Sequence, residues 1–183
     1  MKESMKSAII NNIEQSFLQL EFSVKLLAYF ETEKVDKDEF DTEISWPGKL
    51  INLIFPHNSY KTYNDLILAA ENSYSITLGF TSIVLNDALQ NIGIKCNPSD
   101  DSPNGMLRTL VYMIRCAYAH NMMYPKWEIK PKYAYSLEIA IEPEPLKLDL
   151  SQKNGQPFKI ADIGDLDNYL KIKEKVCQLI AED

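Results

Sequence analysis

Between positions 6 and 31, Ile9, Ile13, Phe17, Leu20, Val24 and Leu27 recur at three- and four-residue steps. That spacing follows the 3.6-residue helical turn and predicts a long amphipathic helix. The acidic stretch 33–43 that follows reads as a solvated loop or a short helix. Trp46-Pro47-Gly48 marks a turn. The apolar patch 50–55 has no decisive period and is closed by Pro56-His57-Asn58. A second long helix is expected over 61–91, with Tyr63, Ile67, Ala70, Tyr74, Leu78 and Leu85 on one face and Asn91-Ile92-Gly93 as its stop. Gly79 in its middle costs about 1 kcal/mol against alanine, which suggests a close helix crossing there.

The next helix has well-marked ends. Asp101 or Ser102 suits the cap and Pro103 the first turn, while Pro125 ends the helix before about Tyr124. Over 103–123, Leu107, Leu110, Ile114 and Tyr118 form the apolar stripe, and Arg108, Tyr112 and Arg115 fall on the other side. Beyond Pro125 the period drops from 3.6 to 2. Trp127 and Ile129 alternate with charged residues. Tyr135, Leu137, Ile139 and Ile141 form a second such run, and Leu146, Leu148 and Leu150 a third. Alternation of this kind predicts half-buried antiparallel strands. Asn154-Gly155 signals a tight hairpin before 158–160. A last helix over 165–181 is expected to bury Leu166, Tyr169, Leu170, Val176 and Ile180. The expected fold is mainly α: a helical bundle over 1–124, then a small antiparallel β-meander and closing helix over 125–183 packed on it.

Composition narrows the function classes. With 183 residues and a net charge of −7, the chain does not suit general coating of nucleic acid. Charge is uneven, however. Seven acids face Lys34 and Lys37 over 31–43, whereas Arg108, Arg115, Lys126, Lys130 and Lys132 face only Glu128 over 106–132. A local positive field can guide an anion to a site even on an acidic protein. The three cysteines (Cys96, Cys116 and Cys177) are scattered and make no C-x-x-C pair, which fits a reducing cytoplasm and neither a disulfide framework nor zinc. No secretory leader or membrane-spanning run is read. Phosphate-cradling glycine motifs and the G-x-S-x-G elbow are absent, so neither a cofactor nor a metal is expected.

The remaining chemistry lies in Arg115-Cys116-Ala117-Tyr118-Ala119-His120-Asn121. An arginine can grip a phosphate through two parallel N–H bonds, and a histidine can move protons near neutrality. The plainer view is equally concrete. A lone arginine is commonly a surface cation, and His-Asn suits a helix C-terminus on dipole and capping grounds.

The heptad resembles the signature of the HEPN superfamily, the higher eukaryotes and prokaryotes nucleotide-binding domain. Arg115 and His120 match its two main positions, and Cys116 stands where Asn, Asp or His is usual. The resemblance implies an all-α bundle and a metal-independent endoribonuclease, of the kind found among toxins and antiviral defence components. Arg115 and His120 would be catalytic; read from the residues themselves, Arg108 suits a contact to a backbone phosphate of the RNA substrate, Tyr112 suits stacking on a base, and Asn121 suits orienting the phosphate or His120. The resemblance also implies a homodimer and an antitoxin or regulatory partner protein. On one continuous helix, positions five apart diverge by roughly 140°, a difficulty that two protomers sharing a site would answer. The alternative is a non-catalytic interaction or nucleotide-binding protein whose active site has lapsed at Cys116.

Overall fold

A computed structural model describes residues 2–47 and 52–182. Gly48 of the expected turn, and Leu50 and Ile51 of the expected apolar patch, lie outside the described residues. The chain is mainly helical. In order it forms α1 (Glu3–Glu31), α2 (Lys37–Phe40), β1 (Ile44–Pro47), β2 (Asn52–Phe55), α3 (Tyr63–Asn91), α4 (Pro103–Tyr118), β3 (Ser136–Ile139), β4 (Leu146–Asp149) and α5 (Leu166–Glu182). It divides into two compact units, residues 1–18 with 75–183, and residues 19–74. Helices α1 and α3 each contribute to both. The segment 125–183 therefore falls in the same unit as α4, and no boundary lies at residue 124.

In the unit 19–74, Phe30, Leu66 and Ala70 form a small core with Leu26, Leu27, Val35, Tyr60, Tyr63 and Ile67 against it. Asp36 caps α2 by accepting the amides of Asp38 and Glu39 at 2.8 and 3.0 Å. The buried carboxylate of Asp41 accepts the amides of Ser59 and Tyr60, both at 2.9 Å, and closes the base of the β1–β2 hairpin. Register pairs Ile44 with Phe55 and Trp46 with Leu53. All four of these side chains are exposed.

The larger unit is organised around α4. Ser102 caps it, its Oγ accepting the Gly105 amide at 3.1 Å. Burial is not confined to the expected stripe: Leu107, Leu110, Ile114 and Tyr118 are buried, and so are Arg108, Thr109, Val111 and Met113. A helix covered on most of its circumference hides residues that a one-face pattern places in solvent. Gly79 of α3 meets Tyr118 here. A Cβ at Gly79 would stand 2.7 Å from Tyr118 Cδ1, so the close crossing expected at this glycine is present. Tyr169, Ile172, Val176 and Ile180 line the buried face of α5, whereas Leu170 is exposed, contrary to expectation.

The β-rich tail is simpler than a three-stranded meander. β3 and β4 pair antiparallel with Leu137 opposite Leu148 and Ile139 opposite Leu146, all four buried, and β3 packs on α4. The 126–129 stretch is instead held by irregular pairing. Lys126 bridges Pro157, the Trp127 amide donates to Gln156 O at 2.9 Å, and the Gly155 amide donates to Trp127 O at 2.8 Å. Asn154-Gly155 is thus not a two-residue hairpin turn, and 160–163 is a 3-10 turn rather than strand. Asn154 spends its side chain on the Ile129 amide at 2.9 Å, which competes with the hairpin geometry its sequence suggests.

Candidate functional site

Helix α4 stops at Tyr118, not near residue 123. The Ala119 amide bonds back to Cys116 O at 3.1 Å, and the Lys126 amide donates to Ala117 O at 3.1 Å. The chain leaving the helix therefore folds back onto the helix end. Asn121 shapes this reversal, its Oδ1 accepting the amides of Met123 and Tyr124 at 3.0 Å each. This is an Asx-type turn, and it competes directly with helix continuation.

The consequence is geometric. His120 lies off the helix, so the 140° divergence expected on a continuous helix does not arise. Arg115 and His120 of a single chain line one open cleft of about 400 Å³, together with Tyr112, Cys116, Glu128 and Lys130. Arg115 is half-buried, and His120 is largely exposed, at 76 % of its side chain. Its Nε2 lies 3.2 Å from Oε2 of Glu128. Glu128 reaches it because buried Trp127 and Ile129 point inward on either side, turning the intervening carboxylate outward to face the helix end. The cleft wall thus carries two permanent cations, Arg115 and Lys130, one imidazole and one carboxylate that touches that imidazole.

Tyr112 stands in the same wall. The neighbouring Cys116 thiol, then burial, holds its phenol above the ordinary value. Its ring packs on that of Tyr133 with centroids 5.5 Å apart. Burial, then the Cys96 thiol at 3.5 Å, pushes the Tyr133 phenol up as well. Arg108 does not reach the cleft. It is 2 % exposed, with Nε donating to Ile94 O at 2.9 Å and Nη1 to Asn86 Oδ1 at 3.1 Å. Of the five residues singled out from the sequence, Arg115, His120 and Tyr112 share the cleft. Asn121 is engaged in the adjoining turn, and Arg108 faces another pocket.

Glu128 was not recognisable from the sequence as a site residue. The available signal was that it is the sole acid within a basic stretch and sits on the outward phase of an alternating run.

Fold and site together define a mainly helical protein with an open, mixed-charge cleft at a helix C-terminus. No family model, curated protein or solved structure matches the chain. No helix among the described residues is long and apolar enough to cross a membrane.

Proposed function

We propose that the protein is an endoribonuclease of HEPN type, a cytoplasmic toxin or defence component that acts as a homodimer and answers to an antitoxin or regulatory partner. The observation that carries this reading is the convergence of Arg115 and His120 on one cleft, with Glu128 3.2 Å from the imidazole. RNA brings its own nucleophile, the 2′-hydroxyl beside the scissile phosphate. The reaction is intramolecular, so positioning supplies much of the rate without a metal-bound water. His120 takes the proton of the 2′-hydroxyl or delivers one to the leaving 5′-oxygen. Arg115 binds the phosphate and stabilises the charge that grows on its oxygens. Glu128 accepts the imidazole N–H and so orients the ring. The bond from phosphorus to the 5′-oxygen breaks as the 2′-oxygen bonds, leaving 2′,3′-cyclic phosphate and 5′-hydroxyl ends.

The test is cleavage of mixed RNA by purified protein in EDTA, with end-group analysis. His120→Ala and Arg115→Ala are expected to abolish cutting while retaining the wild-type circular dichroism spectrum. Equal cutting by either variant would reject the reading. A second reading, a non-catalytic interaction protein, draws on Cys116. That residue stands where the family has a polar side chain, and here it lies in the cleft wall beside Tyr112. It predicts no cutting by the wild type and stable co-purification with a partner.

A further inference from the structure

A second open pocket, of about 410 Å³, is lined by Gln90, Lys95, Cys96, Arg108, Tyr112 and Tyr133. Its floor holds an unusual cation. Arg108 is 2 % exposed, yet no carboxylate among the described residues lies within 4.0 Å of its guanidinium. Nε and Nη1 are taken by Ile94 O and Asn86 Oδ1. Nη2 has no hydrogen bond to the described residues and is reached by solvent, since none of their buried side-chain polar atoms lacks a partner. Asp87 acts on the guanidinium through space from beyond 4.0 Å, its carboxylate held by Asn86, whose Nδ2 donates to Asp87 Oδ1 at 3.0 Å.

Buried cations are normally paired with an anion, because protein dipoles replace lost hydration incompletely. Here the unpaired edge belongs to a residue that lines a cavity open to solvent, and exposed Lys95 adds a second positive charge at the same cavity. The side wall is aromatic. The Arg108 guanidinium carbon lies 5.8 Å from the Tyr112 ring centroid, and Tyr112 packs on Tyr133.

We propose that this pocket binds a small oxyanion, phosphate or carboxylate, carried on a planar ring. The anion sits on Arg108 Nη2 and Lys95, and the ring lies against Tyr112 and Tyr133. The pocket adjoins the cleft of Arg115 and His120, since Tyr112 and Tyr133 line both, but its anion contacts, Arg108 and Lys95, belong to the pocket alone and the proposal does not rest on the ribonuclease reading.

Calorimetric titration of the full chain with phenyl phosphate, benzoate and uncharged phenol tests it. At least one of the two anions is expected to bind roughly tenfold tighter than phenol, the size of a charge-assisted hydrogen bond, and which one binds identifies the oxyanion. Arg108→Gln removes buried hydrogen bonds and can unfold the chain, so Lys95→Gln, on an exposed residue, carries the test. It is expected to weaken binding roughly fivefold, as for one solvent-exposed charge contact. Arg115→Ala is expected to retain the binding that Lys95→Gln weakens, which separates this pocket from any phosphate bound by Arg115 in the adjoining cleft. Equal affinity for phenol and both anions, or no binding of either anion, would overturn the proposal. Loss of binding in Arg115→Ala with retention in Lys95→Gln would also overturn it, because the anion would then lie in the cleft. RNA cleavage is scored separately, so failure of one reading is distinguishable from failure of the other.

Discussion

His120 Nε2 stands 3.2 Å from Glu128 Oε2 although the imidazole is largely and the carboxylate half exposed, and two backbone segments 8 residues apart are folded together to make that contact. An exposed contact of this kind adds only about 0–1 kcal/mol to stability. Its value to a proton-transferring site is orientation of the ring. Glu128→Gln is therefore expected to lower the RNA cleavage rate about tenfold, equivalent to about 1.4 kcal/mol, with KM little changed. Thermal melting should stay close to wild type, and Glu128→Asp should recover part of the rate. A shifted KM at constant rate would assign Glu128 to substrate binding instead.

The two arginines of α4 are expected to separate in opposite ways. Arg115→Ala leaves stability within about 0.5 kcal/mol, as for a partly exposed residue with few fixed partners, and abolishes cutting. Arg108→Met leaves Ile94 O and Asn86 Oδ1 without their donors and costs about 2–4 kcal/mol. Urea denaturation of both variants, read by circular dichroism, gives the two values directly.

Asp162 ties the tail to its buried tryptophan. Its carboxylate accepts from Trp127 Nε1 at 2.9 Å, Lys153 Nζ at 2.6 Å and the Lys159 amide at 3.0 Å. Burial alone would raise its pKa, but these donors outweigh it and hold the carboxyl below the usual range. A carboxylate whose pKa is depressed in the folded state stabilises the fold above the unfolded value of about 3.9. That contribution is lost as pH falls through the lower, folded value. Stability should therefore decline below about pH 4, and Asp162→Asn should flatten that limb. In a Trp46→Phe background, Trp127 emission reports the transition, because Trp127 is fully buried whereas Trp46 is 66 % exposed.

Gly79→Ala sets helix propensity against packing. Alanine gains about 1 kcal/mol of propensity, but its Cβ would meet Tyr118 Cδ1 at 2.7 Å. Tyr118 is 2 % exposed and has little room to yield. Net destabilisation of about 1–3 kcal/mol is expected, measured by urea unfolding. A stabilised variant would show that the Tyr118 ring can move aside.

Much of the fold was legible because its signals are local. Pro103 and Ser102 mark the start of α4, and the three- and four-residue steps from Ile9 to Leu27 mark α1. Alternation in 137–139 and 146–148 marks the β3–β4 pair with the buried face as read. For the end of α4, Pro125 sets only the latest possible stop. The true stop lies earlier, at a turn built by the Asn121 carboxamide and by return bonds from Lys126, which periodicity does not encode. Hairpin β1–β2 leaves no half-buried alternation in the sequence, because Ile44, Trp46, Leu53, Ile54 and Phe55 are all exposed.

Residue order was sufficient to establish where helices and strands can form, and that an arginine and a histidine lie five positions apart in a basic stretch. Those properties depend on neighbours within a turn or two. Whether the two side chains share a cavity, which acid meets the imidazole, and that Arg108 is sealed in while Arg115 is not all depend on contacts between segments distant in sequence. Chain reversal after Tyr118 and the covering of α4 by the tail create those contacts, because burial and hydrogen-bond pairing are settled by what packs opposite a residue rather than by the residue itself.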